Sequence, residues 1–186
     1  MAKFYTQLDD TLRKFIEAQH IFFNASAPIK GRINISPKGL DTFRILSDTS
    51  VAYLDLTGSE NETAAHITEN GRLTLMFCSF HDNPLILRMY GTGRFVTPRH
   101  AEWAELRPLF PDIPGERQVI VLEIESIMTT CGFGVPLYEY QGERTMLPDF
   151  TCKMGDEKMD AYRHEKNQTS IDGLPTHLFD EETTTT

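Results

Sequence analysis

Long apolar runs are missing from this chain of 186 residues, and no stretch approaches the ~18 consecutive apolar residues that a membrane span needs. The opening Met1-Ala-Lys-Phe-Tyr-Thr-Gln7 has no apolar core and no small-residue cleavage site, so a secretory leader is not expected. Cysteine is scarce: Cys78, Cys131 and Cys152 are odd in number and far apart. That spacing excludes a disulfide framework and suits reduced thiols in the cytoplasm. Cys78-x-x-His81 has the spacing of half a metal site, but no second ligand pair accompanies it, so no metal is expected. Basic residues are outnumbered, 18 Lys and Arg against 27 Asp and Glu, for a formal net charge of −9. Nucleic-acid backbones are held by Lys and Arg, so no nucleic-acid partner is expected. Also absent are a Ser-His-Asp or Cys-His nucleophile system, a Walker loop and a complete dinucleotide fingerprint, since Gly91-x-Gly93 runs into bulky Phe95 and Val96.

What remains is an ordinary globular composition, 40% hydrophobic and 24% charged, at a single-domain length. Leu8, Leu12, Phe15 and Ile16 recur at helical spacing after the start signals Thr6 and Asp9. Six β-like runs follow, at residues 30–36, 42–46, 50–56, 72–80, 84–97 and 118–131, with short helices expected at 63–70 and 98–107. No regular β-α-β alternation appears, so an antiparallel barrel is expected, closed or nearly so because closure removes exposed edges. Gly91 and Gly93 inside one run predict a bulge, a bend or a close approach. Beyond Leu137 the chain turns polar and irregular, with one helix expected at 155–167 and an acidic, Thr-rich tail at 180–186.

The most informative stretch is Gly58-Ser-Glu-Asn-Glu-Thr-Ala-Ala-His66, between a β-rich run and a helical pattern that stops at Asn70-Gly71. Strand, polar turn and helix start together present backbone N–H groups and a positive dipole end, which suits an anion such as phosphate. The same residues also read as plain capping: Ser59-x-x-Glu62 fits a capping box and Gly71 the C′ position. Upstream, Asn34, Ser36 and Lys38 share one face of an alternating segment that ends in a turn. Lys38 is there either a solvated turn residue or a phosphate contact.

Five segments occur in register: Ile33-Asn-Ile-Ser-Pro-Lys-Gly39, Gly58 to His66, Leu75-Met-Phe-Cys-Ser-Phe80, Arg88-Met-Tyr-Gly-Thr-Gly-Arg94 and Cys131-Gly-Phe-Gly-Val-Pro136. As a set they resemble the flavin-binding split-barrel family related to pyridoxamine 5′-phosphate oxidase, over about residues 31–136, and Ser170-Ile-Asp-Gly-Leu-Pro175 resembles one branch of it. The resemblance implies a mainly β (α+β) fold: a six-stranded antiparallel split β-barrel with short flanking helices over residues 1–150, with 151–186 as an extension rather than a second domain. It implies FMN as cofactor, a homodimer with the flavin at the subunit interface, and a small-molecule substrate exchanging hydride with the flavin. The alternative is a non-catalytic flavin or haem carrier on the same barrel.

By the same resemblance the flavin contacts are Arg32, Asn34, Ser36 and Lys38 on the first strand, and Ser59, Asn61, Thr63 and His66 at the helix start. Phe77 on the barrel wall, Arg88, and a Gly132-Phe133-Gly134 loop from the partner complete the set. Where the oxidases carry a Ser-Arg-Lys-like cluster, this chain has Ser59-Glu-Asn-Glu-Thr63, and Glu62 is expected to cap the helix or pair with Arg88 or Arg94. No basic pair stands near the C-terminus to grip a substrate phosphate, so oxidation of pyridoxamine phosphate itself is not expected, and no catalytic residue is assigned.

Overall fold

A computed structural model describes residues 2–180. Its elements run β1 (Lys3–Tyr5), α1 (Asp10–Glu17), β2 (Phe22–Ser26), β3 (Asn34–Lys38), β4 (Phe43–Ile45), β5 (Ser50–Leu56), α2 (Glu62–Asn70), β6 (Arg72–Cys78) and β7 (Ile86–Val96). They continue through α3 (Trp103–Leu106), a 3₁₀ turn, β8 (Glu116–Thr130), α4 (Met146–Met154) and α5 (Asp156–Lys166).

The strands form one antiparallel sheet in the order β3-β2-β6-β7-β8-β5-β4, with β1 added to β8. The long β8 is the spine. It pairs with β7 along most of its length, with β5 on its first half and with β1 near its end. The sheet curls into a split barrel with β3 and β4 as its two ends, the fold class expected, built from eight strands rather than six.

The two unanticipated strands have physical explanations. β1 is three residues long and too short for a pattern. β2 turns Phe22, Asn24 and Ser26 inward, so its buried face is mostly polar and hides the usual alternation. β3 begins at Asn34, later than the run at 30–36. Its inward residues, Asn34, Ser36 and Lys38, align with Ser26, Asn24 and Phe22 of β2, while Ile33 (73% exposed) and Ile35 (66%) face outward.

Residues of β5 and β8 are buried on both faces. Val51, Tyr53, Ile120 and Leu122 join the barrel interior with Phe22, Phe77 and Met89, and Leu12 and Ile16 of α1 pack into the same cluster. Their neighbours Ala52, Leu54, Val119 and Val121 form a second cluster with Leu106 of α3 and Phe110. Asp9 caps α1 by accepting from the Leu12 N–H at 2.8 Å, as its sequence position predicts.

α2 ends as expected on Gly71 in the left-handed region (φ 72°), whose N–H bonds the Ile67 carbonyl. Its start differs. Asn61 is the N-cap and makes no side-chain capping bond, Glu62 is already the first helical residue, and Ser59 lies exposed, so the capping box does not form. The expected 98–107 helix shrinks to α3 plus a 3₁₀ turn, the expected 155–167 helix appears as α5, and α4 is additional. The tail beyond Asp180 lies outside the described residues.

The β7–β8 register shifts between Tyr90 and Gly91, which is the bulge that the glycine pair predicts. A Cβ on Gly91 would stand 1.9 Å from the Glu123 carbonyl oxygen, whereas one on Gly134 would meet nothing within 4 Å. Gly91→Ala is therefore expected to destabilise by about 3 kcal/mol or more and Gly134→Ala by under ~0.5 kcal/mol, as read by urea unfolding of both variants. Equal stability of the two would show that the bulge yields freely.

Candidate functional site: a buried polar cluster beside an apolar slot

Asp55 lies near the end of β5, opposite Gln118 of β8, and is 2% exposed. Its carboxylate accepts from Lys38 Nζ at 2.6 Å, Arg117 Nη2 at 2.6 Å and Gln118 Nε2 at 2.9 Å. Burial alone would raise its pKa, but the Lys38 and Arg117 charges beside it more than reverse this and hold the carboxyl well below the usual range. β3 and β5 lie toward opposite ends of the sheet path with no ladder between them, so the Lys38–Asp55 pair spans the split.

The network extends to the start of α2. Gln118 donates to Asn61 Oδ1 at 2.8 Å, and Thr63 Oγ1 accepts from Asn24 Nδ2 at 2.6 Å and Asn34 Nδ2 at 3.1 Å. His66 Nδ1 sits 3.0 Å from Ser26 Oγ, with its Nε2 3.7 Å from Glu62. Several fully buried atoms have no hydrogen-bond partner among the described residues, including Asn24 Oδ1, Tyr53 Oη, Asn61 Nδ2 and His66 Nε2. Each such atom costs about 1–3 kcal/mol, so a cluster of them weakens the fold and marks a place kept for another purpose.

The C-terminal segment covers this helix start. The Ile171 N–H donates to Glu62 Oε1 at 2.7 Å, and Asp172 takes both the Arg32 N–H and its guanidinium. Asn167 accepts from Arg117 Nη1 at 2.9 Å and donates to the Gly58 carbonyl at 3.1 Å. Glu62 therefore pairs with neither Arg88 nor Arg94. Among the described residues Arg94 binds Glu102, and Arg88 reaches the Thr130 hydroxyl at 3.3 Å.

Two cavities flank the cluster. An apolar slot of about 820 Å³ is lined by Phe23, Pro37, Phe80, Tyr138 and Leu147, with Lys38 at its edge. A mouth cavity of about 890 Å³ has Phe22, Phe43 and Phe77 on its floor. The stacked rings of His20 and Tyr140, 3.7 Å apart, belong to both. Glu143 fixes this wall by accepting from Tyr140 Oη at 3.1 Å and the Leu40 N–H at 3.2 Å. Leu40 (φ 61°) and Asp41 (φ 54°) sit in the left-handed region, a cost of about 1–3 kcal/mol each that surrounding contacts must sustain.

The structure brings together Asn34, Ser36, Lys38, Asn61, Thr63 and His66 from the residues that the sequence suggested. Ser36 joins through its bond to Asn34 Oδ1. Arg32 and Ser59 lie exposed at the edge. Phe77 is interior, between Phe22 and Phe43. Arg88 stands on the outer sheet face, in the cross-strand row of Met76, Phe23 and Pro37. The length of β8 separates Gly132, Phe133 and Gly134 from the Arg117 end. Gly132 packs on the Leu85 backbone, and Phe133 is 83% exposed. Sequence reasoning missed Asn24, Tyr53, Asp55, Arg117 and Gln118. The available signal was a carboxylate set inside the apolar run 50–56. Among the described residues, no group of three or more His, Cys, Asp or Glu converges to hold a metal, and no helix is long and apolar enough to cross a membrane.

The family model for pyridoxamine 5′-phosphate oxidase matches residues 8–131. The chain belongs to the pyridoxamine 5′-phosphate oxidase family. It is 40% identical over 196 residues to the pyridoxamine 5′-phosphate oxidase family protein ustO of Aspergillus flavus, covering 94% of this chain and 78% of that protein. Among solved structures it resembles a Lactobacillus delbrueckii candidate oxidase of the same name (TM-score 0.53, 16% identity, 66% of this chain and 94% of that one). It also resembles HupZ from Group A Streptococcus (TM-score 0.51, 22% identity, 64% and 91%). These two likenesses establish the fold that the family shares.

In this family member Asp55 is expected to be a main determinant of acid stability. Its folded pKa is depressed, so its contribution is complete above the unfolded value near 3.9 and is lost as pH falls from there. Asp55→Asn is expected to cost about 3–5 kcal/mol at neutral pH, because Lys38 and Arg117 lose their buried counter-charge, and to flatten the acid limb of the stability curve. Urea unfolding at pH values stepped from ~7 to ~3 measures both effects, and an unchanged acid limb would assign the pH dependence to other carboxylates.

Proposed function

We propose that this chain is a cytoplasmic FMN-dependent oxidoreductase, exchanging hydride between a small organic molecule and the flavin in a two-fold dimer. The observation that carries the reading is the apolar slot, whose volume and flanking Phe23, Pro37, Phe80 and Tyr138 suit a flat fused ring in a chain of this family. When bound, a flavin supplies the hydride-accepting atom. The residues of this chain bind and orient it and keep water out.

The fit is good for the ring and selective for the phosphate. The α2 start carries the buried Glu62 carboxylate under the C-terminal segment, and Asp55 neutralises Lys38. Arg88, whose one side-chain bond among the described residues is to the Thr130 hydroxyl at 3.3 Å, stands in the cross-strand row of Phe23 and Pro37, which line the slot. We therefore assign the phosphate contact first to Arg88. Lys38 lines the slot and links it through Asp55 to the buried polar cluster of Gln118 and Asn61.

The outer face of the sheet supports dimerisation. Phe4 (69% exposed), Ile33 and Ile35 project from it beside half-buried Phe23, Met76 and Met128, a large apolar surface for a monomer to leave in water. In this reading the exposed Phe133 and Gly134, beyond the end of β8, would contact the flavin of a second copy.

Purified protein is expected to take up FMN with a shifted visible spectrum and to sediment as a dimer. Arg88→Ala should weaken FMN binding about tenfold or more, the worth of one charge-assisted bond, without lowering the unfolding temperature. Protein that binds no FMN at micromolar concentration rules the reading out. Bound flavin that neither NADH nor NADPH bleaches anaerobically makes the chain a flavin carrier. Pyridoxal phosphate formed from the pyridoxamine form would return it to the oxidases proper.

A further inference from the structure

The mouth cavity of about 890 Å³ adjoins the slot at the stacked His20 and Tyr140 rings and has the size of a small-molecule site. Its floor is aromatic. Phe43 meets Phe22 at 5.3 Å and Phe77 at 4.9 Å between ring centroids, both edge to face. Ile16, Ile45 and Ile113 add aliphatic lining. A further flat ring set against such a floor gains edge-to-face contacts as well as apolar burial.

The rim is acidic. Four carboxylates line the cavity, those of Glu17, Asp41, Asp112 and Glu143, against the two guanidinium groups of Arg13 and Arg44. Both cations are committed, Arg13 to Asp48 and Arg44 to Asp41 at 2.8 Å. Asp112 is bound by Arg107, which Glu116 also holds. Among the described residues, Glu143 accepts from neutral donors, Tyr140 Oη and the Leu40 N–H, and the Glu17 side chain makes no hydrogen bond or ion pair. Two carboxylates of the rim thus have no cationic partner, in a chain of net charge −9.

We propose that the mouth cavity binds a cationic small molecule with an aromatic body and no anionic group, such as an arylalkylammonium ion. The ring lies against Phe22, Phe43 and Phe77, and the ammonium group is drawn to the rim, where Glu17 and Glu143 have no cation to give up. A carboxylate or phosphate on the ligand would be repelled by the same rim. The inference needs no bound flavin, so it stands or falls apart from the flavin reading.

Calorimetric titration of the full chain, without added flavin, tests it with phenylethylammonium, phenylethanol and phenylpropionate, which share a ring and differ in charge. Saturable binding of the ammonium ion is expected, about fivefold or more tighter than the alcohol, with shifts of the Phe43 ring resonances. The carboxylate is expected to give no saturable heat. A double variant, Glu17→Gln with Glu143→Gln, keeps acceptors for Tyr140 Oη and the Leu40 N–H, so it is expected to fold and to bind the ammonium ion no better than the alcohol. No saturable heat from the ammonium ion, an affinity no higher than that of phenylethanol, or wild-type affinity in the double variant overturns the proposal.

Discussion

The sheet of this protein does not close through backbone hydrogen bonds, and side chains centred on Asp55 join its two ends. Lys38 on the terminal strand β3 and Arg117 and Gln118 on β8 meet on that one carboxylate. A barrel closed by a ladder would hold itself by many equivalent bonds, but this one relies on a buried ion pair. Such pairs contribute little net stability when intact and cost a great deal when one partner is lost. The same contact places Lys38 beside the apolar slot and holds Gln118 against Asn61 at the start of α2. Shape and slot thus share one constraint.

Much of the fold was legible because apolar spacing determines it. β5, β6, β7 and β8 coincide closely with the runs in the sequence, α1 with its helical spacing, and the β7 bulge with its glycine pair. β2 and β3 were harder, because their inward faces carry Asn24, Ser26, Asn34, Ser36 and Lys38 while their isoleucines face out. Polar residues that point into a barrel reverse the rule by which strands are recognised. That reversal puts the polar cluster of the candidate site inside the barrel.

The site was legible only in part, for a similar reason. Asn61, Thr63 and His66 could be singled out because a turn before a helix is a local signal, and they do join the buried polar cluster. Asp55, Arg117 and Gln118 are assembled by strand register across more than sixty positions of sequence, and no local pattern announces them. Nor does composition reveal that Glu62 receives the Ile171 N–H, a bond that brings the C-terminal segment over the α2 start.

β8 pairs with β7, β5 and β1, yet it is the last strand made among the described residues. The segment that seals α2 comes later still, with a separation of 109 positions between Glu62 and Ile171. During synthesis the earlier strands can collapse around their aromatic residues, but β5 and β1 have no partner on their β8 side until that strand leaves the ribosome. Contacts so distant in sequence make for slow folding and for a period in which sheet edges and the Ile33–Ile35 face stand unprotected. A chain released before β8 is complete lacks the spine of its sheet, and such fragments are expected to be substrates for chaperones rather than partly active domains.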